Sequence, residues 1–112
     1  MDIKSLRAFT RLMETLDPNL TIQQVHILLT VFGSKSLERD GYVPLSDIVD
    51  ATGHTLASVS RTLVFFGTHL KPNRRTPGLG LIERREDPDN NRKKNLFLTK
   101  RGKLVKTQLQ EL

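Results

Sequence analysis

The stretch Leu81–Gly102, LIERREDPDNNRKKNLFLTKRG, contains two apolar runs separated by a polar cluster. The runs are Leu81-Ile82 and Leu96-Phe97-Leu98, whose residue types favour β-strands. Between them, Asp87-Pro88-Asp89-Asn90-Asn91 predicts a turn, because Asp and Asn side chains bond nearby backbone groups and proline fixes φ. Thr99 follows the second run and is a good helix cap. The stretch therefore predicts a hairpin that leads directly into a helix.

The half of the chain that contains this hairpin is strongly basic. Residues 1–56 have five Lys/Arg and seven Asp/Glu, a net charge of −2, whereas residues 57–112 have thirteen and five, a net charge of +8. A basic half indicates a surface for a polyanion. The alternative, a generally basic protein with no such partner, stays open at this point. The basic residues next to the turn are Arg84, Arg85, Arg92, Lys93 and Lys94.

Length and composition predict one globular domain, residues 1–112, with one modest core. Hydrophobic residues make up 37% of the chain and charged residues 27%, which is typical of a folded protein. No apolar run approaches the roughly 20 residues needed to span a bilayer. The first residues do not resemble a signal peptide. We therefore expect a cytoplasmic protein without a membrane partner. The absence of cysteine excludes disulfides and thiolate metal sites.

A helix-turn-helix is predicted upstream of the hairpin, over residues 44–66. Its first helix ends at Gly53, a residue suited to a positive φ. Thr55 caps its second helix, which extends to about Phe66. Together with a hairpin over residues 81–99, this unit predicts a winged helix-turn-helix. The fold class is α+β, mostly α, with about five helices and a two- to three-stranded wing sheet. The residues expected to bury the second helix are Leu56, Val59, Leu63 and Phe66.

The remaining elements follow from apolar spacing and capping residues. Residues 2–16 form the first helix. The second extends from Leu20 to about Ser36, and Thr21 and Gln24 are placed as its capping box. A polar connection over Leu37–Gly41 and a short strand at Tyr42-Val43 come next. The residues expected on the buried face of the second helix are Val25, Leu28, Leu29 and Phe32.

The first and last helices, residues 2–16 and 99–112, are candidate dimerisation helices because each has one apolar side. The same side chains could instead close the core of a monomer, and both alternatives stay open. The residues expected at a dimer contact are Ile3, Leu6, Leu12, Leu104, Val105 and Leu109.

The second helix of the helix-turn-helix has the composition needed to enter a major groove. Such a helix needs an apolar inner face and small or hydrogen-bonding residues on its outer face. Ser58 and Ser60 can donate to a phosphate or a base, and Arg61 can reach a phosphate or bond guanine. The alternative is an ordinary surface helix. The candidate DNA-binding residues here are Thr55, Ala57, Ser58, Ser60 and Arg61.

The hairpin adds a second group of candidate DNA-binding residues. Arg92 is predicted at the wing tip, where a narrow minor groove attracts arginine. Lys93 and Lys94 are predicted on phosphates, and Asp87 or Asp89 is expected to hold Arg92 by a charge-assisted bond. The alternative is a solvated charged hairpin. Between the two motifs, the loop Gly67–Gly80 offers Arg74 and Arg75 as additional backbone contacts.

These motifs resemble the MarR family of transcription regulators. The stretch DPDNNRKKNLFLTKRG is similar to the wing of that family, and Ile48–Arg61 is similar to its helix-turn-helix. The resemblance extends over roughly residues 20–104. It implies a winged-helix homodimer on a pseudo-palindromic operator of double-stranded DNA. It also implies that Arg92 takes the wing-tip position. The helix residues that it implies face DNA are Thr55, Ser58, Ser60 and Arg61.

The chain departs from the family at three places. Asn90 stands where the family has an aspartate that supports the wing arginine, so that support must come from elsewhere. The loop Gly67–Gly80 is longer than the usual short turn. Thirteen residues follow Thr99, which is short for a terminal helix of this family. A small-molecule effector is therefore less expected than in longer members.

The sequence predicts no enzyme and no cofactor or metal. The three histidines, His26, His54 and His69, are scattered without metal-ligand spacing, and His26 is expected to be a partly buried structural residue. Gly78-Leu79-Gly80 lacks the lysine of a phosphate loop. The predicted function is sequence-specific DNA binding as a MarR-type regulator, with repression favoured. Two alternatives stay open: a replication-initiator-like protein on repeated DNA sites, and a winged-helix module that binds a polymerase or regulator.

Overall fold

A computed structural model describes residues 2–68 and 78–112, which form six helices and three strands. The fold is the α+β winged helix that the sequence predicts. The elements are α1 (Ile3–Leu16), α2 (Ile22–Phe32), α3 (Lys35–Asp40), β1 (Val43–Pro44), α4 (Leu45–Thr52), α5 (Leu56–Phe66), β2 (Ile82–Glu86), β3 (Lys94–Leu98) and α6 (Lys100–Gln110).

The three strands form one antiparallel sheet in the order β1-β3-β2. The two strands of the hairpin, β2 and β3, pair from Ile82 opposite Leu98 to Glu86 opposite Lys94. The short strand β1 pairs on the other side of β3, with Val43 opposite Leu96. The predicted hairpin is confirmed, and the extra strand lies at Val43–Pro44, one residue later than the predicted Tyr42-Val43. Because β1 directly precedes α4, this sheet connects the wing to the helix-turn-helix.

The core lies between the sheet and the helices. The helix-turn-helix packs on α2, and the sheet closes the other side through Leu96 and Ile82. These apolar side chains are almost completely removed from water, which is the main stabilising contribution in a domain of this size. The largest fully buried side chains are Phe66, Ile27, Leu28, Ile48, Leu81, Ile82 and Leu96.

The helix-turn-helix is formed by α4 and α5. Gly53 ends α4 with φ 73°, and its N–H donates to the carbonyl of Val49. Thr55 then caps α5, because its hydroxyl accepts from the N–H of Ser58. One predicted core residue is wrong: Leu56 is 58% exposed, and Thr62 is buried instead. Leu56 is the first residue of α5, and the buried residues of this helix begin one turn later, at Val59.

The predicted second helix is in fact two helices. The capping box of Thr21 and Gln24 is confirmed, but α2 ends at Phe32 and α3 occupies most of the predicted polar connection. Gly33 separates them, since glycine is a poor helix former. Leu37 is buried, so α3 packs on the rest of the protein through this residue although the rest of its sequence is polar. In α2, Leu29 is exposed and Ile27 and Val31 are buried.

The segment Thr99–Gly102 fixes α6 against the start of the hairpin. The Thr99 hydroxyl donates to the carbonyl of Gly80 at 2.6 Å and accepts from the N–H of Gly102 at 3.0 Å, so it caps α6 as predicted. Gly102 is buried, and a Cβ there would collide with the backbone carbonyl of Leu81. The spacing of threonine and glycine therefore lets the helix backbone lie directly on the hairpin backbone.

The close approach at Gly102 predicts that Gly102→Ala destabilises the protein. Alanine favours an ordinary helix interior by about 1 kcal/mol over glycine, but here its methyl group meets a backbone carbonyl that cannot rotate away. We expect a net loss of about 1–3 kcal/mol in the free energy of unfolding, measured by urea denaturation. Lys103→Ala, at an exposed position of the same helix, is the control. A Gly102→Ala variant as stable as wild type would contradict the close approach.

Candidate nucleic-acid interface

The outer face of α5 presents the residues that the sequence assigns to DNA. Thr55, Ala57 and Arg61 are exposed, and Ser58 and Ser60 are half-buried. The inner face is held by Val59 and Leu63 in the core, among others. The small residues on the outer face would let a base or phosphate approach the helix, and Arg61 adds a charged group with five N–H donors. All five residues are therefore at least partly accessible to a ligand.

Both serine hydroxyls of this surface accept hydrogen bonds from other parts of the protein. The Gln23 side-chain amide in α2 donates to the Ser58 hydroxyl. The Arg84 guanidinium in β2 donates to the Ser60 hydroxyl at 3.3 Å. Each hydroxyl keeps its own proton, so each can still donate. These two bonds tie α5 to α2 on one side and to the wing on the other.

A histidine pair gives a third contact at the start of α5. Nδ1 of His26 in α2 lies 3.3 Å from Nε2 of His54, and the two rings meet edge to face. His26 is exposed, so the prediction that it is partly buried is wrong. His54 lies in the turn that precedes the Thr55 cap. The pair therefore links α2 to the turn of the helix-turn-helix.

The wing turn is organised by the carboxylate of Asp87. One carboxylate oxygen accepts from the N–H of Asp89 at 2.9 Å, and the other accepts from the side-chain amide of Asn95 at 3.3 Å. The backbone N–H of Asp87 also donates to the carbonyl of Lys93. The Asp89 N–H, and then the Asn95 amide, lower the pKa of Asp87 below its ordinary value of 3.8. This carboxyl is therefore held in its charged form by the turn that it organises.

The prediction that Asp87 or Asp89 holds the Arg92 side chain is wrong. Asp87 is engaged by backbone and amide donors, and in residues 2–68 and 78–112 the three ion pairs are Arg39–Asp40, Arg85–Glu83 and Lys94–Glu86. The turn instead fixes the backbone of Arg92, whose N–H donates to the side chain of Asn90 at 3.1 Å. The Arg92 side chain is exposed.

The basic residues of the hairpin have different surroundings. Arg92 and Lys93 are exposed at the turn. Lys94 is half-buried and donates to Glu86 at 2.8 Å, and Arg85 pairs with Glu83 while its guanidinium lies 4.3 Å from the centre of the Phe97 ring. Arg92 and Lys93 are thus exposed at the turn, whereas the exposed Arg85 is engaged by Glu83 and Phe97.

Two of the sequence-predicted residues, Arg74 and Arg75, lie outside the described residues. Sequence reasoning missed three contacts to α5 or its preceding turn, which are made by Gln23, His26 and Arg84. Their partners are 35, 28 and 24 residues away in the chain. Local spacing carries no signal for contacts of that separation.

Neither a metal-binding cluster nor a membrane-spanning helix occurs in the described part of the chain. Among residues 2–68 and 78–112, no three His, Cys, Asp or Glu side chains are grouped so that they could bind a metal ion. The helices in the same residues are all too short or too polar to cross a bilayer.

No protein-family model and no curated protein matches this sequence, but solved structures match its fold. A mutant of MepR from S. aureus has a TM-score of 0.62 and 21% identity, over all of this chain and 76% of its own. A mutant MarR from E. coli, complexed with operator DNA, has a TM-score of 0.53 and 17% identity, over 98% of this chain and 74% of its own. The PcaV transcriptional regulator from Streptomyces coelicolor, in complex with its natural ligand, has a TM-score of 0.56 and 20% identity, over 95% of this chain and 64% of its own.

The fold is therefore that of a MarR-like winged helix. Another MarR structure has 26% identity, and three of the matching structures are of transcriptional regulators or a probable one. The chain spans 64% of the length of the PcaV chain.

The hydrogen bonds to Asp87 predict a measurable shift in its titration. A lowered pKa means that the charged carboxylate stabilises the folded wing above pH 3.8, and that this contribution is lost as the pH falls through the lower, folded value. An NMR titration of the Asp87 carboxyl carbon should give a midpoint below 3.8. The same carbon in urea-unfolded protein is the control and should give the ordinary value. A folded midpoint at or above 3.8 would contradict the bonds.

Proposed function

We propose that this protein is a transcriptional regulator that binds double-stranded DNA sequence-specifically, with α5 in the major groove and the hairpin as a wing against the neighbouring backbone. The observation that carries the proposal is that the exposed face of α5 and the exposed wing cations Arg92 and Lys93 belong to one sheet-linked unit. A rigid unit can present both at once without an ordering cost on binding.

The proposed contacts divide into two kinds. Arg61, with Thr55 and Ala57, faces base edges, and the Ser58 and Ser60 hydroxyls donate to phosphates or bases while Gln23 and Arg84 hold them in place. Arg92 and Lys93 bind the backbone or the minor groove, where phosphate contacts supply most of the affinity. Lys94 has a lesser share because it is paired with Glu86. We also propose backbone contacts for Arg74 and Arg75, which lie outside the described residues.

The likeness to regulators supports this role, and in particular the likeness to a MarR structure that was solved with operator DNA. We propose repression, since a protein that covers an operator excludes other proteins from the same DNA. We also propose that this protein works in the cytoplasm.

We further propose that the protein acts as a homodimer. In α1 and α6, Ile3 is 73% exposed and Leu104 is 66% exposed, and an apolar groove of about 350 Å³ lies between α1 and the start of α2. Exposed apolar surface of this kind is typical of interaction sites.

One sequence-predicted contact is wrong, because Val105 is buried in the core of the single chain. Leu12 and Leu109 also pack partly on that core. Ile3, Leu6 and Leu104 remain the proposed contacts.

The DNA proposal predicts that Arg92→Ala weakens binding. Loss of one phosphate-contacting cation should raise the Kd about tenfold and reduce the slope of log K against log salt by about one unit. The experiment is a fluorescence titration of an operator, selected from random duplexes, at two salt concentrations. Arg85→Ala is the matched control, since its guanidinium is engaged by Glu83 and Phe97 on the hairpin itself.

The outcomes of this titration separate the proposal from its alternatives. An unchanged Kd and salt slope for Arg92→Ala would contradict the wing assignment. Failure of the wild-type protein to bind any duplex at low salt would contradict DNA binding and favour a protein-interaction module. Selection of direct rather than inverted repeats would favour a replication-initiator-like protein.

The dimer proposal predicts that Leu104→Glu weakens self-association. A charge placed in an apolar contact loses its water without gaining a partner. We therefore expect the dissociation constant of the dimer to rise at least about tenfold, which corresponds to about 1.4 kcal/mol of association free energy. Light scattering over a range of concentrations measures it. Leu56→Glu, at an exposed leucine on α5, is the control. A wild-type protein that stays monomeric at every concentration would overturn the proposal.

A further inference from the structure

Asn95 is the second residue of the central strand β3, and this polar residue is only 5% exposed. It lies opposite Arg85 on β2 and opposite Pro44 on β1. Among the described residues, its side-chain oxygen has no hydrogen-bond partner. A buried amide with an unpaired oxygen is destabilising compared with an apolar residue of similar shape. Stability alone therefore does not explain an asparagine at this position.

The other half of the Asn95 amide contacts the wing turn. Its nitrogen donates to Asp87 at 3.3 Å, and Asp87 in turn accepts from the backbone N–H of Asp89 at 2.9 Å. Asp87 and Lys93 are joined by a backbone hydrogen bond, and so are Lys93 and Asn90. A continuous path of hydrogen bonds thus runs from the buried strand to the turn that carries the exposed cations.

The side chains of the turn act on its backbone rather than on the arginine side chain. Asn90 accepts from the N–H of Arg92, and Lys94 reaches the carbonyl of Asn91 while it pairs with Glu86. The conformation of the turn therefore sets the position and direction of Arg92 and Lys93. The only buried side chain in this hydrogen-bonded group of described residues is Asn95.

We propose that Asn95 is a positioning residue for the wing: it holds Asp87, and through Asp87 it fixes the turn so that Arg92 and Lys93 meet DNA. This inference rests on the proposed DNA-binding function. Asn95 itself is buried and does not touch the DNA. An anchored turn presents its cations in one arrangement, whereas a free turn must lose conformational freedom each time the protein binds.

The test is Asn95→Leu, a substitution of similar branching without polar atoms. If Asn95 served only the folded structure, loss of its hydrogen bond would lower stability. If it is a positioning residue, the melting temperature stays the same or rises, because an unpaired buried oxygen is removed. In that case the operator Kd rises by about three- to tenfold, the equivalent of one hydrogen bond. Stability is then kept or gained while affinity for the operator is lost, a combination that a merely structural role does not produce.

Two further variants complete the design. Asp87→Ala breaks the same contact from its half-buried partner, so it tests the path if Asn95→Leu does not fold. Asn19→Leu makes the matched change at an exposed asparagine outside the wing and should leave the operator Kd unchanged. The double variant Asn95→Leu with Arg92→Ala should lose less affinity than the sum of the two single losses, because both changes remove the Arg92 contact and only the Lys93 contact is left for Asn95→Leu to weaken.

The failure of this inference can be distinguished from failure of the DNA proposal. If wild-type protein binds its operator and Arg92→Ala weakens it, while Asn95→Leu and Asp87→Ala bind like wild type, Asn95 does not position the wing. Fully additive losses in the double variant would also overturn the inference. If wild-type protein binds no duplex, the proposed function fails first.

Discussion

The arrangement of this molecule depends on the backbone pairing of β3 with a strand on each side. The wing strand β2 pairs along one edge, and β1 pairs along the other with Val43 opposite Leu96. Because β1 continues directly into α4, the position of the helix-turn-helix is set by the same strand that sets the wing. Two hydrogen-bonded edges on one five-residue strand thus join the two parts of the candidate interface.

This pairing is reinforced by contacts between side chains that are distant in the chain. Arg84 on β2 donates to Ser60 on α5, and Gln23 on α2 donates to Ser58. Each of these bonds holds a hydroxyl on the outer face of α5 without using its proton. The surface is therefore organised before any ligand arrives, and this favours a recognition role because little freedom is lost on binding.

Much of the fold could be predicted from the sequence because its signals are local. Thr21 with Gln24, Thr55 and Thr99 cap helices through bonds to residues three positions away. The helix boundary at Phe32 was missed because a single Gly-Ser pair weakens a helix without always ending it. Leu56 was misassigned to the core for a related reason, since apolar spacing identifies a helix face but not how far the neighbouring elements extend along it.

The sequence by itself determined the hairpin and its turn, the helix-turn-helix, the caps and the basic half of the chain. Each of these depends on residues within about four positions of one another, or on composition alone. Tertiary structure decided which wing cations are engaged by other side chains, which hydroxyls of α5 are held by other elements, and that Asn95 is buried within the wing strand β3. The contacts that α5 makes with α2 and β2 join residues 35 and 24 positions apart in the chain. Contacts over such separations leave no periodic pattern in the sequence.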